Sequence, residues 1–194
     1  AKAHARILTD GYGAEVELQP LRDGAMAAFD IGTTTVVCYL LEAGTGRLLT
    51  AVSAVNPQQS YGADVISRIQ RALAGEMEAQ TRLIREQMAS LLEDACRQAG
   101  VLPETVGAIS VVGNPCMQQL FLGILPENLA RIPFAPVLTG AEVGEVGDIF
   151  PCCPHAALIT VPDISGYVGA DTVGCVLASG LDREEKRTLL VDIG

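Results

Sequence analysis

Ala28-Phe29-Asp30-Ile31-Gly32-Thr33-Thr34-Thr35-Val36-Val37-Cys38-Tyr39-Leu40-Leu41 sets an acid, a glycine and three hydroxyls between two apolar runs. The flanks read as strands and the polar interval as the turn joining them. A strand that ends in Asp and turns back through Gly-Thr-Thr can offer backbone N–H groups to a phosphate, because glycine lets a ligand approach the chain closely. Asp30 then stands where a hydrated Mg²⁺ would bridge protein and phosphate. The core of the stretch returns as Val191-Asp192-Ile193-Gly194. Two such loops lead to the expectation of one nucleotide held between two related lobes, with the second loop only begun at Gly194. The separation of the two copies suits a duplicated lobe and is too long for a solenoid repeat.

Taken alone, the Asp-Ile-Gly turn is equally compatible with an ordinary type I′ or II′ hairpin. Two observations favour the phosphate reading: the motif recurs, and an acid inside an apolar strand is costly to bury unless partners such as metal-bound water satisfy it. Neither a G-x-x-x-x-G-K-[ST] loop nor a strand-borne G-x-G-x-x-G is present, so a P-loop and a dinucleotide-binding Rossmann unit are unsupported.

The 194 residues are 49% hydrophobic, and 13 basic against 23 acidic side chains give a formal charge of −10. Such a chain is long enough to bury a core, and its charge opposes nucleic acid and anionic membrane surfaces. No apolar run reaches the roughly 18 residues of a membrane span, and the N-terminus lacks the apolar core of a signal peptide. The expectation is a cytoplasmic protein with no nucleic-acid or membrane partner. Cysteines at 38, 96, 116, 152, 153 and 175 form no C-x-x-C pair, so they read as reduced, small, buried residues. Cys152-Cys153, between two prolines, is the pair most open to exposure.

Along the chain, residues 1–24 read as a linker or the tail of an upstream domain. Strands are expected at 27–31, 35–41 and 48–55, forming an antiparallel meander. A helix follows over 62–73 with Val65, Ile66, Ile69 and Leu73 on one face, ended by Gly75. A second runs from 76 to 99, with Met77, Ile84, Met88, Leu91, Leu92 and Ala95 recurring at helical period and Gly100 as its cap. Residues 106–112 read as a buried parallel strand. Asn114 caps a short helix that opens with Pro115 and runs through 121. Residues 125–154 are rich in Pro and Gly and read as loops with one short strand at most. A strand at 157–161, a small-residue helix at 169–179 and a strand at 188–193 complete the pattern. The fold class is α/β: a mixed five-stranded sheet, three antiparallel strands and then parallel ones, flanked by helices. Residues 25–187 form a first lobe and 188–194 open a second.

Together with the strand and helix order, the two Asp-Ile-Gly loops and the segment Gly169-Ala170-Asp171-Thr172-Val173-Gly174 resemble the actin, sugar-kinase and heat-shock-chaperone ATPase superfamily. The implied architecture is a ribonuclease-H-like lobe of an actin-like ATPase, with ATP and Mg²⁺ as cofactors. The resemblance assigns Asp30 and Asp192 to water-mediated metal contacts, and Gly32, Thr33, Thr34, Thr35 and Gly194 to the phosphates. Asp171 takes the place of the acid that orients or deprotonates the nucleophile, with Asp163 as the alternative. Read from residues alone, Asp171 is equally a helix-terminal acid that favours the positive end of the dipole.

A closer resemblance is carried by Asn56-Pro57-Gln58-Gln59-Ser60-Tyr61-Gly62-Ala63-Asp64-Val65-Ile66-Ser67-Arg68-Ile69, by Val112-Gly113-Asn114-Pro115-Cys116-Met117-Gln118-Gln119 and by Gly166-Tyr167-Val168-Gly169-Ala170-Asp171. In this order they are similar to the ATPase region of the reductive activators of corrinoid proteins, which restore oxidised cobalamin cofactors to cobalt(I). The resemblance implies a corrinoid protein of a methyltransferase system as partner. It places the iron–sulfur cluster in a domain outside this chain and leaves a homodimer open. Gln118 and Gln119 stand where that family often carries histidines; as residues they read as a solvent-facing helix pair. Tyr61 to Asp64 is either a partner-facing surface or a turn into a helix with Asp64 as a first-turn acid. A small-molecule kinase and an actin-like nucleotide-gated scaffold are the alternative functions.

Overall fold

In the computed structural model, which describes residues 23–191, β1 (Ala25–Ile31), β2 (Thr35–Glu42) and β3 (Leu48–Val55) form the expected meander. Alternation sets its faces. Ala25, Ala27, Phe29 and Ile31 of β1 are buried, and so are Val36, Cys38 and Leu40 of β2, because the antiparallel register sets Phe29 opposite Cys38 and Ile31 opposite Val36. A one-residue slip would turn both sets outward.

β4 (Val106–Gly113) joins the free side of β1 in parallel. β5 (Glu142–Glu145) and β6 (Ala157–Thr160) follow, with β6 parallel to β4 and β5 antiparallel to β6. The sheet therefore has six strands in the order β3-β2-β1-β4-β6-β5, one more than the five expected. Glu142-Val143-Gly144-Glu145 is too short and too polar to announce itself; the open edge of β6 recruits it. A bond from the Glu142 amide to Thr160 Oγ1 at 3.1 Å ties the two together.

Among the described residues four α-helices flank the sheet: α1 (Val65–Arg71), α2 (Met77–Ala99), α3 (Pro115–Leu122) and α4 (Ala170–Ser179). α1 runs into α2 through a widened turn that breaks at Gly75, where φ is 96°. α2 lays Ile84, Met88, Leu91, Leu92 and Ala95 over β2 and β3, and a single apolar cluster extends from there to β4 and α3. Phe29 and Phe150, with ring centres 5.5 Å apart, pin the segment after β5 onto the same core. α4 instead packs against β4, on the side reached by Ser110 and Val112. Among the described residues no helix is long and apolar enough to cross a membrane.

The inward face of α1 differs from the expected one. Arg68, Ile69 and Ala72 are buried, whereas Ile66 and Leu73 are exposed. Gln118 and Gln119 are buried, not solvent-facing, because α3 is enclosed between α2 and the sheet. Gln118 Nε2 donates to the Val161 carbonyl at 3.0 Å, and neither amide atom of Gln119 has a partner among the described residues. Asp64 is the N-cap of α1, its Oδ1 accepting from the Ser67 amide at 2.9 Å. The strand expected over 188–193 does not appear in its described part: residues 188–191 carry no regular structure and pair with no strand of the sheet.

Candidate functional site

The turn between β1 and β2 is closed by the Gly32 amide, which donates to the Thr35 carbonyl at 3.0 Å. A Cβ on Gly32 would come within 2.6 Å of that same oxygen, so the turn is closed too tightly for any other residue. The remaining carbonyls of the turn are all held from behind. Gly32 O accepts from Asn56 Nδ2 at 2.8 Å and Thr33 O from Arg68 Nη2 at 2.5 Å. Thr34 O accepts from the Asn56 amide at 2.8 Å and from Gln59 Nε2 at 3.3 Å. Asn114 adds a link from the end of β4: its Oδ1 caps α3 through the Met117 amide at 3.1 Å, while its Nδ2 donates to Thr33 Oγ1 at 3.3 Å.

In front of the turn lies a cavity of about 880 Å³, walled on one side by Asp30, Gly32, Thr33 and Thr34 and on the other by Asp171, Gly174 and Cys175 of α4. Ser110, Val112 and Asn114 form its floor. Register explains the meeting: Asp30 pairs with Val112 and Ala28 with Ser110, so these side chains share the face opposite the core. α4 closes in because Gly169, just before it, lies against the chain after β4. A Cβ there would sit 2.7 Å from both Asn114 Cα and the Gly113 oxygen.

Five of the residues singled out from sequence therefore line one cavity: Asp30, Gly32, Thr33, Thr34 and Asp171. Thr35 is beside it, closing the turn with its carbonyl while its side chain is exposed. Asp192 and Gly194 lie outside the described residues. Asp30 is exposed, not buried in its strand, so the cost of burying it was no argument for the site. Its position on the open face of β1 is what carries weight.

Asp163 and Asp171 separate cleanly. Asp171 faces the cavity, with Oδ1 accepting from the next amide, Thr172, at 2.8 Å. Asp163 instead holds the first amide of α4, accepting from Ala170 at 3.0 Å. Burial pushes the Asp163 carboxyl up to about 7; the Ala170 amide opposes this and the nearby Asp171 carboxylate adds to it.

Sequence reasoning missed the brace behind the turn. Asn56, Gln59 and Arg68 belong to the 56–69 segment that carries the family resemblance, which assigns them no role. One signal was available: Arg68 falls at helical spacing from Val65 and Ala72, inside the buried stripe of α1. Most of the cysteines are buried, as expected, and the exposed thiol is Cys175 and not the Cys152-Cys153 pair, of which Cys153 is buried and Cys152 intermediate. A second cavity of about 580 Å³ between α2 and the 149–151 segment holds none of the turn residues. Among the described residues no group of three or more His, Cys, Asp and Glu could hold a metal ion.

Residues 25–184 match the family model described as the RACo middle region. A corrinoid activation enzyme, RamQ, from Eubacterium limosum is 35% identical over 170 residues, covering 86% of this chain and 28% of that protein. A solved structure described as a reductive activator for corrinoid, iron-sulfur protein superimposes with a TM-score of 0.81 at 28% identity, over 85% of this chain and 27% of that one. The chain thus spans just over a quarter of the length of each relative.

Proposed function

We propose, since the chain belongs to the RACo middle region family, that it is part of an ATP-dependent reductive activator of corrinoid proteins and that its cavity is one wall of an actin-like nucleotide cleft. The observation that carries this reading is that a glycine-hydroxyl turn and a helix-borne acid face each other across one cavity. The protein's charge of −10 makes a phosphate site depend on local donors, and a turn with its carbonyls held away supplies them. In this reading the turn from Gly32 to Thr35 meets the phosphates through the backbone amides of Thr33, Thr34 and Thr35, with Gly32 closing the turn and leaving room for close approach. Asp30, with Asp192 from the returning motif, accepts hydrogen bonds from metal-bound water. A magnesium ion, when bound, supplies charge neutralisation on the phosphate oxygens. Asp171 orients the attacking water, and Asp163 holds the helix that presents it.

Hydrolysis at this cleft would be coupled to reduction of a corrinoid protein's cobalt to cobalt(I), in service of a methyltransferase system. The electron would come from an iron–sulfur cluster in another part of the full-length protein, and no electron-transfer step is assigned to the residues described. The test is ATP hydrolysis by the full-length protein with and without corrinoid protein. Asp171→Asn is expected to lower kcat by about a hundredfold to ten-thousandfold, the usual worth of a positioned base, with ATP affinity little changed. Full activity in that variant would overturn the assignment. Sugar phosphorylation in place of corrinoid-stimulated hydrolysis would overturn the function.

A further inference from the structure

We infer that Arg68, acting with Asn56 and Gln59, is a positioning residue that sets the turn at 32–35 in its anion-binding form before any ligand arrives. The inference rests on the reading that this turn binds phosphate. Three successive carbonyls, those of Gly32, Thr33 and Thr34, are each held from the side of α1 and the turn preceding it. Across a planar trans peptide the N–H points opposite to the C=O. Anchoring those three oxygens therefore turns the amides of Thr33, Thr34 and Thr35 away from the brace. An unanchored peptide could flip and present an oxygen where a phosphate must sit; the brace removes that option at no cost when ligand binds.

Arg68 is the centre of the brace. It is fully buried, and its three hydrogen bonds go to neutral acceptors: Thr33 O, Gly62 O at 3.0 Å and Met117 Sδ at 3.1 Å. Burying a guanidinium is costly, and an apolar side chain would fill the same space without that penalty. What an apolar side chain could not do is hold the Thr33 oxygen and place a positive charge directly behind the turn, in a chain that is otherwise strongly acidic. The planar fork reaches Thr33 and Gly62 together, so it also locks the turn to the start of α1; lysine, a single point donor, can satisfy only part of this.

The experiment compares binding of Mg·ATP and of adenosine, by isothermal titration, to the full-length wild type and to Arg68→Met, Arg68→Lys and Gln59→Ala. Adenosine has no phosphates, so a general folding defect would weaken both ligands, whereas a misplaced turn weakens ATP alone. Arg68→Met is expected to weaken ATP by about tenfold to a hundredfold, the worth of lost charge-assisted hydrogen bonds, and to leave adenosine unchanged. Arg68→Lys should fall between, and Gln59→Ala, an exposed position, should show a smaller loss of the same kind. If Arg68→Met fails to fold, Arg68→Lys decides: unchanged ATP affinity, or equal losses for both ligands, overturns the inference alone. A wild type that binds adenosine but gains nothing from the phosphates overturns the phosphate reading and the inference with it.

Discussion

Asp163 and Asp171 are eight positions apart on either side of a helix start, and both are candidates for one role, Asp171 first by resemblance and Asp163 as its alternative. Reach separates them: one carboxylate touches the cavity and the other touches the first amide of α4. That second contact has a pH consequence. Burial raises the Asp163 carboxyl to about 7 in the folded protein, against about 4 for an ordinary Asp. Between those values the folded state holds a proton that the unfolded state has released, so stability falls as pH rises. The contribution is fully present below about pH 4 and is lost as pH passes about 7. Asp163→Asn keeps an acceptor for the Ala170 amide and cannot ionise. Thermal melts from pH 5 to 8 should show a downward slope in the wild type that is flattened in the variant; equal slopes would contradict the burial argument.

At the scale of elements, strands and caps were readable because their signals are local. Alternation marked β1 and β2, and Asn114-Pro115 marked the start of α3. Of the four apolar residues placed on one face of α1 and its continuation, Val65 and Ile69 do pack inward, but Arg68 and Ala72 take the places of Ile66 and Leu73 in the stripe, and the helical spacing of Arg68 from Val65 and Ala72 is the one local sign of it. β5 is the one short strand allowed within 125–154, but it could be neither placed nor counted into the sheet, because only a neighbouring edge makes a strand of it. The join between α4 and β4 also depends on contact across the chain, at Gly169. Its backbone, φ −97° and ψ −171°, suits any residue, so the need for glycine there is purely spatial. Gly169→Ala should cost about 1–3 kcal/mol, the range for overpacking, measured by urea unfolding. ATP hydrolysis should fall further than stability alone explains, since the shift moves Asp171. A fully active, equally stable variant would show that α4 has room to spare.

For the whole molecule, the sheet divides labour between its faces: one is covered by α2 and α3 and carries the core, the other carries the cavity beside α4. The cysteines report on this division. Burial pushes the thiols of Cys38, Cys116 and Cys153 up to about 12 and that of Cys96 up to about 11, which suppresses their reactive thiolate forms. Cys175 is exposed and lines the cavity. Brief maleimide labelling of the native protein, read by mass spectrometry, should mark Cys175 first, and Mg·ATP should slow that labelling. Labelling at Cys175 that is indifferent to nucleotide would place the ligand elsewhere.

Turn chemistry, alternation and capping act over a few residues, so the hairpin around Gly32, the long helix up to Gly100 and the two candidate acids could all be found by reading along the chain. The pairing of β1 with β4, the approach of α4 and the burial of Arg68 beneath Thr33 join segments dozens of residues apart. Their energies come from packing and desolvation shared among many side chains, and those exist only once the chain has closed on itself. That is why the turn and both candidate acids were visible in one dimension, while the facing of the turn and Asp171 across one cavity and the arginine that braces the turn emerged only in three.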